Sequence, residues 1–229
     1  MNIEIIPVID LKAGKAVHAK GGRRDKYQPV QSRLCPDGDA LTLIRNFLDQ
    51  YHFSRLYIAD LDAITASGNH DSLLRSIEQQ YPELETWIDT GIKNQDSLQQ
   101  FHQKFTGRPV MGSETLTGTE VFSMTESHAK QAVLSLDFSH KGFLGLSELH
   151  TNNSYWPDDV IVMSLDHVGS DCGPDFTRLD QLSSLSSKSR LYAAGGIRNN
   201  QDLLQLADAG IHGALVASAL HNDQLNLSH

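Results

Sequence analysis

Eight short apolar runs of β type, separated by longer segments with helical spacing, constrain the fold of this chain more than any other feature. The runs cover residues 3–10, 55–60, 85–89, 109–112, 132–137, 159–164, 190–194 and 213–217. Strands that alternate with helices form a parallel sheet covered by helices. Because eight such units in 229 residues match a small barrel, we predict an α/β fold, a (β/α)8 TIM barrel, over the alternative of a doubly wound open sheet.

An internal repeat divides the runs into two sets of four. Residues 90–94 resemble residues 195–199 at a shift of 105, and the same shift carries residues 112–113 onto 217–218. The barrel should therefore consist of two four-strand halves, whose equivalent elements lie on opposite sides of the axis. No linker or break in composition separates the halves, and we expect residues 1–229 to form a single domain.

Charge and composition exclude several classes of partner. Asp and Glu number 28 against 19 Lys and Arg, a formal net charge of −9, so we expect no binding to nucleic acid or to an anionic membrane. The 11 His and two Cys show no ligand spacing, and we predict no metal. No signal peptide or membrane-spanning run is visible. We expect a soluble cytoplasmic protein, either a monomer or a small homo-oligomer.

Two aspartates end strands at equivalent points of the two halves. Asp10 ends the first run and Asp137 the fifth, and the sequences around them match. Both side chains should point into the barrel mouth from opposite walls, where paired carboxylates suit general acid–base catalysis. The alternative is that each caps the following turn, and the matched pair favours catalysis. Asp60, Asp62 and Asp166 also follow strands, and we expect them to be structural or supporting residues.

Glycine turns after the third and seventh runs are candidate phosphate sites. Gly195-Gly196 follows a strand and precedes a helical segment, so backbone N–H groups there can hold a phosphate. In (β/α)8 barrels the loops after strands seven and eight are the usual phosphate site. The alternative is that these glycines only end strands; we favour phosphate for Gly195-Gly196 and leave both interpretations open for Gly91. Neighbouring candidates in the turns after strands four, seven and eight are Gly112, Ser113, Ile197, Ala217 and Ser218.

The loop of residues 20–27 is locally basic in an acidic protein. It should overhang the barrel mouth, and Arg23 and Arg24 are candidates for bidentate phosphate binding. A solvated mobile loop is the alternative.

Four stretches, residues 6–11, 59–63, 135–137 and 193–197, carry a resemblance to a known family. They look like the start, the second strand, the fifth-strand catalytic motif and the phosphate turn of the histidine-biosynthesis barrel enzymes. This is the family of phosphoribosylformimino-5-aminoimidazole carboxamide ribotide isomerase and imidazole glycerol phosphate synthase. The likeness covers most of the chain, and a two-half duplication is a mark of the family.

The resemblance implies an Amadori-type aldose–ketose isomerase that acts on a phosphorylated small molecule with neither metal nor cofactor. It places Asp10 as the base and Asp137 as the acid. Ser164 would orient the substrate where the family has a Thr, and Gly169-Ser170 partly match the family's sixth-strand phosphate loop.

Several departures leave the substrate open. The family's Gly-Gly after strand three is Thr90-Gly91 here, and its Gly-Arg or Gly-Lys after strand eight is Ala217-Ser218. The first loop is more similar to isomerase-like paralogues of archaea and methylotrophs, which are associated with synthesis of tetrahydromethanopterin or methanofuran. A paralogue acting on a phosphorylated intermediate of such a pathway is the alternative, and a non-catalytic partner subunit is a third. The synthase usually has a Cys where this chain has Ile9.

Overall fold

Eight parallel strands close into a barrel in the computed structural model, which describes residues 3–123 and 131–226. Each strand pairs with the next, and β8 pairs with β1 from Glu4 opposite Gly213 to Pro7 opposite Val216, which confirms the predicted (β/α)8 fold. The strands are β1 Glu4–Lys12, β2 Arg55–Asp60, β3 Glu85–Asp89, β4 Arg108–Gly112, β5 Val133–Ser139, β6 Asp159–Ser164, β7 Arg190–Ala194 and β8 Gly213–Val216.

Helices follow most of the strands and pack on the outside of the barrel. Their apolar faces, such as Leu43, Ile44 and Phe47 of the first helix, are buried against the strands. No helix within the described ranges combines the length and apolarity needed to cross a bilayer. The helices are α1 Ala40–Gln50, α2 Leu61–Ile64, α3 Asp71–Gln80, α4 Gln95–Lys104, α5 Glu148–Thr151, α6 Phe176–Leu185, α7 Asn200–Asp208 and α8 Ser218–His221.

The repeat seen in the sequence maps one half of the structure onto the other. A shift of 105 residues carries the first residue of β3 onto that of β7, that of α4 onto that of α7, and that of β4 onto that of β8. Even the helix caps correspond, because Asn94 accepts from the amide of Ser97 and Asn199 from that of Asp202. The two halves therefore share local structure where their sequences match.

A short antiparallel strand extends the carboxyl end of β1 and of β5. Residues Lys15–His18 pair with β1, and residues Gly142–Leu144 pair with β5. These hairpins stand on the strands that carry Asp10 and Asp137. In the first half a further short strand, Gln28–Pro29, pairs with Lys15–His18 and folds the loop of residues 19–39 back over the mouth.

Alternation along each strand separates an inner core from an outer one. The inner core contains one large side chain from most strands, including Tyr57, Trp87 and Tyr192, and the outer core lies between strands and helices. Two residues further along β3 the inward position is Asp89, and on β7 it is Ala194. The inward positions of β1 and β5 at the mouth are Asp10 and Asp137.

The amino-terminal end of the barrel is closed by an ion-pair network. Asp159 is fully buried and contacts Arg108 at 2.6 Å and Arg190 at 2.7 Å. Arg55 pairs with Glu85 at 2.8 Å, and both Arg55 and Arg108 lie over the ring of Trp87. The network leaves the carboxyl ends of the strands as the accessible end of the barrel interior, and this is the end at which barrel enzymes carry their active sites.

Candidate functional site

A pocket of about 1120 Å³, including its open mouth, occupies the carboxyl end of the barrel. Its wall combines inner-core side chains with four carboxylates and one guanidinium. The charged lining residues are Asp10, Asp89, Glu114, Asp137 and Arg24.

Asp10 projects from β1, two residues after the inner-core residue Val8. Burial raises its pKa to about 7; the nearby Arg24 guanidinium acts against this shift, and the Asp89 carboxylate adds to it. Asp10 therefore titrates near neutral pH, where it can exist in both protonation states.

Asp137 projects from β5 and is held by four hydrogen bonds. The Ser135 hydroxyl donates to its Oδ1 at 2.6 Å, and the Ser113 hydroxyl donates to its Oδ2 at 3.1 Å. The amide of Glu114 donates to the same Oδ2 at 3.2 Å, while the amide of Asp137 itself donates to Ser113 Oγ at 2.9 Å. Burial, with the Glu114 carboxylate adding to it, raises the pKa of Asp137 to about 7, although the Ser135 bond opposes the shift.

Asp89 is a third pocket carboxylate that our sequence analysis missed. It accepts a hydrogen bond from the amide of Gly91 at 2.9 Å and one from the Tyr57 hydroxyl at 3.4 Å. Burial raises its pKa to about 6, and the Gly91 bond acts against that shift. The signal was present in the sequence, since Trp87 and Asp89 are two residues apart on one strand and must share a face.

Arg24 and Glu114 form an ion pair across the mouth, from the loop after β1 to the turn after β4. Lys12 supports this arrangement by donating to the carbonyl of Arg24 at 2.5 Å. Arg24 thus occupies the position over the mouth that was predicted for it. Arg23 is exposed and is not part of the pocket wall.

The turns after β6, β7 and β8 line the side of the pocket opposite Glu114. Gly195 and Gly196 both have positive φ, and a Cβ on them would lie 2.5 Å from the carbonyl oxygen of Ser164 and 2.2 Å from that of Gly173, so only glycine fits. All seven residues predicted in these turns are part of the wall: Gly169, Ser170, Gly195, Gly196, Ile197, Ala217 and Ser218.

Four other predicted site residues, Gly91, Gly112, Ser113 and Ser164, are not part of the pocket wall. Ser164 follows the inward-facing Met163, and Ser113 follows the inward position of Gly112, so alternation turns both away from the lumen. The Ser113 hydroxyl instead holds Asp137. The amide of Gly91 donates a hydrogen bond to Asp89. Gly91 also packs closely against Ile64, and a Cβ at position 91 would lie 2.8 Å from the Ile64 Cα.

The aspartates expected to be structural have partners outside the pocket. Asp60 is buried, caps α2 through the amide of Ala63, and accepts from His70 at 2.8 Å. His70 Nε2 in turn accepts from the amide of Gly14 at 2.9 Å, which ties the β1 hairpin to β2. Asp166 lies 3.2 Å from His140.

Two histidines at the pocket wall also escaped the sequence analysis. His18 of the first hairpin and His221 of α8 meet with ring centroids 5.0 Å apart, and His221 Nδ1 lies 3.1 Å from the Ser32 hydroxyl. Burial lowers the pKa of His221 to about 4, and the neighbouring His18 adds to the shift. Among the side chains in the described residues, no group of three or more His, Cys, Asp or Glu is arranged to hold a metal ion.

Comparison with known proteins places this geometry in context. Residues 4–226 match the family model described as histidine biosynthesis protein. An uncharacterized protein of Methanocaldococcus jannaschii is 28% identical over 229 residues, which cover 98% of this chain and 96% of that protein. Proteins named 1-(5-phosphoribosyl)-5-((5-phosphoribosylamino)methylideneamino)imidazole-4-carboxamide isomerase, from Lactococcus lactis subsp. cremoris and Clostridium acetobutylicum, are 25% and 24% identical. These matches cover 98% and 97% of this chain, and 94% and 95% of the relatives.

Proposed function

The chain belongs to the histidine biosynthesis protein family, and from that premise we propose that it is an Amadori-type aldose–ketose isomerase acting on a phosphorylated aldosylamine. The observation that carries the proposal is the pair Asp10 and Asp137. These two carboxyl groups, on β1 and β5, line one pocket, and each has a pKa raised to about 7. Such a pair supplies one acid and one base at neutral pH without any further group.

The roles of the two aspartates follow from their neighbours. Arg24 favours the ionised form of Asp10, whereas the Glu114 carboxylate favours the protonated form of Asp137. Asp10 is therefore the proposed base and Asp137 the proposed acid. The Ser113 and Ser135 hydroxyls hold the Asp137 carboxyl in place.

The proposed reaction conserves all atoms of the substrate. Asp137 donates a proton to the ring oxygen as the bond from that oxygen to C1 breaks, and the nitrogen lone pair forms a C1=N iminium. Asp10 then removes the proton from C2, and the electrons of that C–H bond form the C1=C2 bond of an enolamine while the C=N electrons return to nitrogen. Protonation at C1 and loss of the enol proton give the aminoketose. A phosphate on the substrate would bind the amides of the Gly195–Ile197 turn.

The test is an assay of the purified full-length chain with phosphorylated aldosylamines, among them the ribotide in the isomerase relatives' names, backed by complementation of an isomerase-deficient histidine auxotroph. Turnover that Asp10→Asn and Asp137→Asn each abolish is the expected result. The exposed Asp180→Asn variant is the matched control for the loss of one carboxylate. Absence of turnover with any phosphorylated aldosylamine would contradict the proposal.

A second candidate keeps the chemistry and changes the pathway. It is favoured by the departures from the family pattern at Thr90 and at Ala217-Ser218, because loops set the choice of substrate while the barrel stays constant. The substrate would then be a phosphorylated intermediate of one-carbon cofactor synthesis, such as that of tetrahydromethanopterin or methanofuran. Failure to complement the histidine auxotroph, combined with turnover of such an intermediate that requires Asp10 and Asp137, would favour this candidate.

A further inference from the structure

The two halves of the barrel differ in charge at equivalent positions around the pocket. The shift of 105 residues carries Asp89 onto Ala194 and Glu114 onto Ala219. Asp89 and Glu114 both line the pocket, so the first half presents two carboxylates where the second half has alanine. The local backbone of the two halves matches, and the difference lies in the side chains.

The backbone amides of the first-half turns are already occupied within the protein. Three amides correspond to those that would face a phosphate in the second half, and each of them donates a hydrogen bond to a nearby acceptor. The donations run from Gly91 to the Asp89 carboxylate at 2.9 Å, from Ser113 to the carbonyl of Ser135 at 2.8 Å, and from Glu114 to the Asp137 carboxylate at 3.2 Å. A phosphate in the first half would have to displace these acceptors, two of which are carboxylates.

The equivalent amides of the second half are not used in this way. Those of Gly196, Ser218 and Ala219 meet no acceptor within residues 3–123 and 131–226. The turn that contains Gly196 lines the pocket, and its two glycines permit the positive-φ backbone conformation of this turn. The second half can therefore receive a phosphate without breaking an internal hydrogen bond.

Arg24 does not restore a phosphate site in the first half, although it is the single cation among the charged side chains that line the pocket within the described residues. Its guanidinium is paired with Glu114 and lies near Asp10 and Asp89. The Glu114 carboxylate already pairs with this guanidinium, and together with Asp89 it leaves the first-half side of the pocket anionic, so a phosphate there would meet like charges at short range.

We infer that the pocket accepts a substrate with a single phosphate, held at the Gly195–Ile197 turn, and that Asp89 and Glu114 exclude a second phosphate from the first half. The opposite end of the substrate would carry hydrogen-bond donors or a cationic amine, which suit the two carboxylates. The inference rests on the proposed function and narrows it to a monophosphorylated aldosylamine. The isomerase relatives, by contrast, are named for a compound with two phosphoribosyl groups.

The test compares the affinity of the full-length chain for three probes by titration calorimetry. The probes are the two-phosphate ribotide in the relatives' names and its two counterparts that each lack one of the phosphates. We expect one counterpart to bind at least as tightly as the ribotide and the other to bind at least about 10-fold more weakly than the first. A ribotide that binds 10-fold more tightly than both counterparts would overturn the inference, because both phosphates would then contribute. Absence of binding by all three would overturn it as well.

A double variant, Asp89→Asn with Glu114→Gln, tests the cause of the exclusion. It should raise the affinity for the two-phosphate ribotide about 10-fold relative to the affinity for the preferred counterpart. The matched control is Asp180→Asn with Glu83→Gln, which removes the same charges from exposed positions. If the double variant is unstable, Glu114→Gln alone should give a smaller gain in affinity for the two-phosphate ribotide. An unchanged ratio of the affinities for the ribotide and the preferred counterpart would contradict the role of Asp89 and Glu114.

These readouts do not depend on turnover. A preference for one phosphate, together with no isomerisation of any phosphorylated aldosylamine, would refute the proposed function and leave the single-phosphate pocket standing. Isomerisation together with a contribution of both phosphates to the affinity would support the proposed function and refute the single-phosphate pocket.

Discussion

The two ends of the barrel both bury aspartates, and they shift the pKa of those aspartates in opposite directions. At the closed amino-terminal end, burial alone would raise the pKa of Asp159, but hydrogen bonds from Arg190 and Arg108 lower it. At the mouth, burial raises the pKa of Asp10 and Asp137 to about 7, and Arg24 is the one guanidinium that lines the pocket in the described part of the chain. One barrel thus contains a compensated cluster and an uncompensated one.

The difference teaches how to separate stabilising charges from chemically active ones. A carboxylate matched by two arginines stays ionised and ties three strands together, as Asp159 does between β4, β6 and β7. A buried carboxylate that lacks such partners costs stability and gains the ability to exchange a proton near neutral pH. A raised pKa of a buried carboxyl group at the open mouth therefore indicates a functional role. A lowered pKa at the closed end indicates a stabilising role.

The strongest test of this comparison replaces the mouth carboxylates. Asp10→Asn or Asp137→Asn should lower turnover by about 10²–10⁴-fold, since each removes an acid or a base while preserving size. Thermal stability should not fall, because an amide avoids the cost of burying a charge. Turnover is measured with the substrate identified by the assay above, and thermal unfolding is followed by circular dichroism. Near-normal turnover in both variants would refute the acid–base assignment, and unfolding of both would make the two residues structural.

The same substitution at the closed end should have the opposite outcome. Asp159→Asn leaves Arg108 and Arg190 without their carboxylate, and we expect a loss of about 2–4 kcal/mol in the free energy of unfolding, the lower values reflecting the partial exposure of Arg190. Chemical denaturation measures this loss. Turnover of the folded variant should change less than that of the mouth variants, and a larger fall in turnover than in stability would break the distinction between the two ends.

The pH dependence of stability should also distinguish the two clusters. Asp10 and Asp137 have pKa values of about 7 in the folded protein against 3.8 for an unperturbed Asp. Between these values the folded state holds protons that the unfolded state releases, so their contribution makes stability rise as the pH falls from about 7 to 4. The slope approaches about 1.4 kcal/mol per pH unit for each group.

The double variant Asp10→Asn with Asp137→Asn should lose this rise, and the difference between the two unfolding curves isolates it. His221, with a pKa lowered to about 4, acts in the opposite sense over the same range, but it is present in both proteins. Asp159 contributes in a different pH range, because its pKa in the folded protein is lowered below the unperturbed value of 3.8. Its stabilisation is present above pH 3.8 and is lost as the pH falls through the lower pKa of the folded state. Parallel curves for the two proteins would contradict the raised pKa values at the mouth.

The smallest expected effect concerns a residue that positions Asp137. Ser113→Ala removes a donor to the Asp137 carboxylate and an acceptor for its amide, and it should cost about 1 kcal/mol of stability. Because the lost donor favours the ionised carboxylate, the pKa of Asp137 should rise, and the limb of the pH–rate profile assigned to Asp137 should move to higher pH. Ser113→Thr keeps the hydroxyl and should restore the profile. A uniform fall in rate with no movement of that limb would indicate a purely structural role.

The sequence predicted the barrel because each strand and helix has a local signature that repeats. It also predicted which turns face the pocket in the second half, since Gly195-Gly196 needs a conformation that few other residues adopt. Ser113 and Ser164 lie outside the pocket wall because of the two-residue period past the end of a strand, and that period was readable from the sequence.

Other features of the site required the folded chain. Glu114 and Arg24 belong to loops that are distant in the sequence, and their ion pair depends on how residues 19–39 fold back over the mouth. The contact between His18 and His221 has the same origin, because it joins the first hairpin to the last described helix. The pKa values at the mouth are likewise a product of burial, which no local pattern encodes.

Asp10, Asp89 and Asp137 have pKa values between about 6 and 7, so the pocket can take up or release protons near neutral pH. An anionic ligand arriving beside them raises their pKa values further, so binding near neutral pH draws protons from the buffer. The heat of binding then includes the ionisation enthalpy of whichever buffer is present. The apparent affinity for a phosphorylated ligand should therefore depend on pH and fall as the pH rises through the pKa values of these three groups.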